Sequence, residues 1–118
     1  MKESERVPAC PFCQILAREV PADVVYEDSH VLAFRDIRPK YRVHLLVIPK
    51  VHLAGVTSLR PEHELLAGKL LRIGAELARR EGMTDSGFRL LTNQGPDAGQ
   101  VVQHLHLHVL GGESLRGL

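Results

Sequence analysis

His104-Leu105-His106-Leu107-His108-Val109-Leu110 is the stretch that decides how this chain is read. Side chains of an extended strand alternate between faces, so three imidazoles point one way and Leu105, Leu107 and Val109 the other. The apolar set suits a sheet face laid on a core. The imidazole row is costly to cover unless each ring has a partner or a task. Three readings follow. The histidines could lie on a solvent face. They could share a metal ion, since imidazole is a good zinc ligand. Or one neutral imidazole could attack phosphorus or carbonyl carbon while its neighbours orient it and move protons near neutral pH. Three of the chain's seven histidines in strict alternation argue against the first.

The loop upstream, Asn93-Gln94-Gly95-Pro96-Asp97-Ala98-Gly99-Gln100, favours phosphorus. Gly99 lets backbone N–H groups approach a ligand closely. Successive inward N–H groups make an anion nest, and Asn93 adds a side-chain donor. An ordinary turn has the same composition, so the loop gains its meaning from the histidines that follow it.

Further out, the chain alternates between short strands and two helical segments. Cys10-Pro11 through Arg18 reads as a short helix, with Pro11 at a first helical position and Phe12, Ile15 and Leu16 on one face. Val20-Pro21 stops it. Val24-Val25-Tyr26 and His30 to Phe34 flank a Glu27-Asp28-Ser29 turn as a hairpin. The apolar run His44-Leu45-Leu46-Val47-Ile48, closed by Pro49, suits a central strand covered on both faces. Arg60-Pro61-Glu62 opens the longest helix, which reaches about Glu81. Leu66, Leu70, Ile73 and Leu77 form one stripe on it, and Ala67, Leu71, Gly74 and Ala78 a second. The second stripe either widens the face on the sheet or meets another subunit. Gly68 and Gly74, each costing about 1 kcal/mol in a helix interior, hint at close backbone packing. Gly87 to Thr92 is a further strand. The order of elements gives an α+β fold: a mainly antiparallel sheet with one long helix and a short N-terminal helix.

The 118 residues make one domain, 1–118, with 1–8 read as a loose terminus. A chain this small gains from a dimer. Hydrophobic residues at 44%, charged residues at 25% and a net charge of +1 describe an ordinary globular protein and give no reason to expect nucleic acid as partner. No apolar run is long enough for a membrane span, and no apolar stretch follows the charged first residues as a secretory signal would require. A cytoplasmic location is the expectation. The two cysteines stand close together in Cys10-Pro11-Phe12-Cys13. A pair this close reads as a metal or redox pair in a reducing compartment. The redox motif belongs at a strand-to-helix turn of a βαβ unit, which this chain lacks. A closed zinc site needs four ligands, and His52 and His104 are candidates to complete it. Packed, unliganded thiols are the competing reading. Asp36, just beyond a strand, is either a turn former or a carboxylate for two ribose hydroxyls, with Phe34 and Ile37 facing a base.

These segments together resemble the histidine triad family. His104 to Leu110 fits its His-x-His-x-His-x-x pattern with every x apolar. Cys10 to Cys13, Tyr26-Glu27-Asp28, Leu32 to Ile37, His44 to Lys50 and Gly99-Gln100 fall where the family has related segments. The ending Val109-Leu110-Gly111-Gly112 is most similar to its histidine triad nucleotide-binding branch. The resemblance implies a homodimeric purine nucleoside phosphoramidase or nucleotide hydrolase that forms a nucleotidyl-histidine intermediate and releases nucleoside monophosphate. It implies His106 as nucleophile, His108 as phosphate contact and proton carrier, and His44 as support for that relay. Asp36 corresponds to the ribose carboxylate. Asn93 and the backbone of Gly99, Gln100 and Val101 correspond to the phosphate cradle, and Ile15, Val20, Phe34 and Ile37 to the base pocket. Some members bind zinc through positions like Cys10, Cys13, His52 and His104, and no organic cofactor is implied. Cleavage of dinucleoside polyphosphates, or nucleotide binding with little turnover, are the alternatives. Two departures stand out. Val101 occupies the place of a serine that contacts phosphate, and Gln103 stands where an aromatic residue is common.

Overall fold

The computed structural model describes residues 6–117. Five strands form one sheet in the order β1 (Val24–Glu27), β2 (Val31–Arg35), β3 (Val43–Pro49), β5 (Leu107–Gly111), β4 (Phe88–Leu91), and every neighbouring pair is antiparallel. Helix α1 (Pro11–Leu16) lies against one face and α2 (Glu64–Arg80) against the other.

Alternation along the strands sorts the core into two halves. Val31, Ala33, Leu45, Val47, Leu107 and Val109 meet Leu70, Ile73 and Leu77 of α2. Leu32, Phe34, Leu46 and Ile48 meet Phe12, Cys10 and Cys13 around α1. Central β3 is buried on both faces, as its unbroken apolar run predicts. Asp28 builds the β1–β2 turn. One carboxylate oxygen accepts the N–H groups of His30 and Val31, and the other takes the Tyr26 hydroxyl at 2.6 Å. His30 therefore belongs to the turn, and β2 begins one residue later than its composition suggests.

Several boundaries differ from the sequence reading. Helix α1 ends at Leu16 because Arg18 takes a left-handed backbone (φ 61°). The long helix begins with a 3-10 turn over Pro61–His63 before α2 proper. Most consequential, the ladder of β5 starts only at Leu107. The partner strand runs into Pro49, which has no N–H to offer. The Pro49 carbonyl accepts the ring N–H of His104, and the Leu105 N–H turns to Leu53 O. His104 and His106 are thus outside the ladder, although the alternation of faces continues through them: Leu105 joins the α2 core.

The second helix stripe is divided. Gly74 and Ala78 are buried, and a Cβ at Gly74 would come within 3.0 Å of Leu107 Cδ2. Leu71 is 54% exposed and Leu65 91% exposed, and a Cβ at Gly68 would meet nothing. Close packing explains Gly74; Gly68 lies on the outer face. Of the terminal segment read as loose, residues 1–5 lie outside the described residues. Residues 6–8 are held: Arg6 pairs with Glu19, the Val7 N–H points at Cys13 Sγ, and Pro8 O accepts from Gln14.

Candidate functional site

The two cysteines flank the start of α1. Cys10 caps the helix, its sulfur accepting the Cys13 N–H at 3.3 Å. His104 is fully buried and donates its Nε2–H to Pro49 O at 2.9 Å. A neutral ring protonated at Nε2 carries its lone pair at Nδ1. That atom lies 3.4 Å from Cys10 Sγ and 3.7 Å from Cys13 Sγ. His52 Nδ1 lies 3.4 Å from Cys13 Sγ. All four ligand atoms fall within 4.8 Å of one another. Two thiols and two imidazoles at this spacing, with the His104 lone pair already turned inward, fit a tetrahedral zinc ion. Burial pushes the Cys10 thiol up, opposed by the Cys13 N–H and reinforced by the Cys13 thiol. A bound dication would reverse this, because coordinated thiols are thiolates.

The remaining imidazoles form a separate, ordered row. His106 donates Nδ1–H to the carbonyl of His104 at 2.6 Å, which leaves a lone pair at Nε2. The Lys40 N–H donates to His44 Nδ1 at 3.1 Å, so the His44 proton sits on Nε2. From there it is donated to His108 Nδ1 at 2.9 Å. The His108 proton must then sit on Nε2, a buried atom with no hydrogen-bond partner among the described residues. The His106 and His108 rings lie 4.9 Å apart. A nucleophilic lone pair thus stands beside a proton donor. Asp36, His44 and His108 also have ligand atoms within 4.8 Å. The Lys40 N–H nevertheless requires a proton on His44 Nε2, so these three form a hydrogen-bonded relay and not a chelate.

Electrostatics keep the row neutral. Burial lowers the His106 pKa, against its bond to the His104 carbonyl and the Asp36 charge. Burial, then the His106 and His44 rings, hold His108 at about 4. His44 is lowered by burial, against Asp36. Between the ordinary imidazole value of 6.5 and about 4, His108 is protonated in the unfolded chain and neutral in the folded one. The unfolded chain binds more protons there, so stability falls as pH falls through that window. Urea midpoints measured from pH 7 to pH 4 should decline, and a His108→Asn variant should show a shallower decline.

The nucleotide-binding candidates are placed unevenly. Asp36 is half-buried, with one oxygen accepting the Arg38 N–H at 2.9 Å and the other 3.4 Å from His44 Nε2. Ile37 is 85% exposed, Val20 is exposed and Ile15 half-buried. Phe34 is buried beneath Phe12, so its ring backs the site and does not face outward. Asn93 is half-buried at the start of the loop. The nest expected from the loop is narrower than its sequence suggests. Gly99 N–H is donated to Pro96 O and Gln100 N–H to Gly95 O. The Gln100 side chain is spent as well, accepting from Gly95 and donating to Ala54 O and Val102 O. Positive φ at Gly95 and Gly99 makes this turn possible. The Val101 N–H is not drawn into it, while its side chain is 88% exposed.

One residue is absent from the sequence-based site. Phe12, between the two cysteines, packs T-shaped against the His106 ring, 5.1 Å between centroids at 89°. It reads as an ordinary helix-face apolar residue. Only its place inside the Cys-x-x-Cys pair could have drawn attention to it.

A buried, orderly imidazole row beside a thiol–imidazole cluster defines a histidine-based site on an antiparallel α+β fold. The HIT domain family model matches residues 17–115. The purine nucleoside phosphoramidase of Escherichia coli K12 is 41% identical over 104 residues, covering 88% of this chain and 87% of that protein. A 14 kDa zinc-binding protein of Brassica juncea is 44% identical over 106 residues, covering 88% and 93%. Among solved structures, a HIT family hydrolase from Clostridium thermocellum superposes with a TM-score of 0.91 at 38% identity, covering 95% of this chain and 97% of that one. The chain belongs to the HIT family.

Proposed function

We propose that this protein is a purine nucleoside phosphoramidase working through a nucleotidyl-His106 intermediate. The observation that carries the reading is the tautomer order: an Nε2 lone pair on His106 beside the buried Nε2–H of His108, which has no partner among the described residues. Its similarity to the E. coli phosphoramidase and to HIT family hydrolases supports it.

In this mechanism His106 Nε2 attacks the α-phosphorus and the P–N bond breaks. The His108 Nε2–H hydrogen-bonds the departing nitrogen, which takes its proton from the incoming water. His106 keeps its Nδ1–H, so the adduct is a cationic phosphoimidazole, stabilised by the His104 carbonyl that accepts that proton. The hydroxide left by that water attacks phosphorus, the P–N bond to His106 breaks, and the nucleoside monophosphate leaves with His106 neutral again. Two displacements replace one difficult step, and the chain's contribution is positioning and charge. Asp36 holds the ribose, Asn93 and the Val101 N–H the phosphate, and Ile15, Val20 and Ile37 the base, with Phe34 behind them.

The test is release of adenosine monophosphate from adenosine phosphoramidate by the wild type. Binding without products over hours would instead support a nucleotide-binding adaptor, the reading that the missing hydroxyl at Val101 favours.

The Cys10, Cys13, His52 and His104 cluster is proposed to hold zinc, consistent with the Brassica zinc-binding relative. Atomic absorption should find about one ion per chain, lost in a Cys10→Ala/Cys13→Ala double variant. Both thiols are free, which agrees with a reducing compartment and the expected cytoplasmic location. No helix among the described residues is long and apolar enough to cross a membrane. The outer face of α2, with Leu65, Gly68 and Leu71, is the proposed homodimer contact. Sedimentation should show a dimer, converted to monomer by Leu65→Asp with Leu71→Asp; a monomeric wild type would contradict it.

A further inference from the structure

We infer that the Cys10–Cys13–His52–His104 centre positions the nucleophile, fixing both the tautomer and the ring orientation of His106. This rests on the reading of His106 as nucleophile. Two contacts orient the His106 ring from outside the row. One is the hydrogen bond from its Nδ1–H to the His104 carbonyl, at 2.6 Å. The other is the Phe12 ring, T-shaped to it at 5.1 Å between centroids. Both come from the metal cluster: His104 is one of its ligands, and Phe12 lies between two others. No strand ladder holds this segment, since β5 begins at Leu107. The His104 carbonyl is therefore free to accept from a side chain. Its direction is set by what grips residues 104 and 105. The His104 ring is held between Pro49 O and the two sulfurs, and the Leu105 N–H is held by Leu53 O, next to His52. An ion joining His52 and His104 to the cysteines of α1 would lock all of these together. The Phe12 ring also packs against the His104 ring, 5.8 Å between centroids, tying the helix to the same segment.

Groups that orient a functional imidazole through its second nitrogen typically change activity or affinity by about 10- to 100-fold when removed. Loss of the ion is therefore expected to lower kcat by about that factor, with KM for the phosphoramidate changing much less. The test combines kinetics with long-range ring 15N–1H correlation spectra, which report the His106 tautomer directly. Zinc-loaded wild type should show the Nδ1–H tautomer alone. His52→Ala removes a ligand that does not touch His106. With zinc withheld it should show both His106 tautomers and the reduced kcat, and excess zinc should restore both. Phe12→Leu keeps all four ligands. It should retain one zinc per chain and lose several-fold in kcat.

An unchanged His106 tautomer and kcat in folded, zinc-free His52→Ala would overturn the inference. Should that variant not fold, an unaltered kcat in zinc-bound Phe12→Leu would do so. Should the wild type not turn over phosphoramidates, the functional reading fails, while the ring spectra still decide whether the centre sets the His106 tautomer.

Discussion

Replacing His106 by alanine is expected to abolish release of nucleoside monophosphate from adenosine phosphoramidate, with a loss of at least about ten-thousandfold in kcat, the scale on which removing a covalent nucleophile acts. The size follows from the arrangement. His106 is the ring of the row whose Nε2 carries a lone pair by virtue of a backbone bond. His44 and His108 both carry their protons on Nε2, so neither presents an equivalent lone pair to the same phosphorus without a change of tautomer. The variant should still bind nucleotide, because the contacts of Asp36 and the loop are untouched. Steady-state kinetics together with calorimetry on adenosine monophosphate would separate the two quantities. Appreciable turnover by the variant would show that another group attacks phosphorus.

The second large effect is a gain. Val101→Ser should raise kcat by up to about a hundredfold, the worth of one well-placed donor to charge developing in the transition state. The family resemblance places a phosphate-contacting hydroxyl at this position. The valine side chain is 88% exposed, so a serine enters without strain and without leaving a cavity. With the Gly99 and Gln100 N–H groups spent on the turn, the loop offers phosphate few donors besides Val101 itself. A hydroxyl there would add a donor where the backbone is short of them. Comparison of kcat for the two proteins on one substrate checks this. An unchanged kcat would mean that the Val101 side chain does not face the reacting phosphate.

The sequence made some of this legible and hid the rest for physical reasons. Alternation in residues 104–110 correctly separates the imidazoles from the apolar core face. Periodicity reports side-chain direction, however, and not ladder bonding. Pro49, on another strand, ends the ladder at Leu107, and nothing within residues 104–110 says so. The zinc ligands could be proposed because thiolates and imidazoles have few other reasons to converge. Proton positions could not be read. They depend on a Lys40 N–H, a His104 carbonyl and a Pro49 carbonyl, backbone groups that every residue possesses. The loop misled for a related reason. Gly99 signals that the backbone can turn, and the same turn that exposes one N–H consumes those of Ala98, Gly99 and Gln100. Gly68 and Gly74 look alike in the helix pattern. Only the sheet beneath shows that Gly74 is packed against Leu107 and Leu90 while Gly68 faces outward.

The central claim is that the nucleotide is transferred to His106. Rapid mixing of the wild type with adenosine phosphoramidate, acid-free denaturing quench and peptide mass spectrometry tests it most directly. One adenylyl group per chain is expected on the peptide containing His106, appearing before monophosphate accumulates and absent from His106→Ala. Monophosphate formed at the full rate with no adduct on His106, or an adduct on His104 or His108 instead, would contradict it.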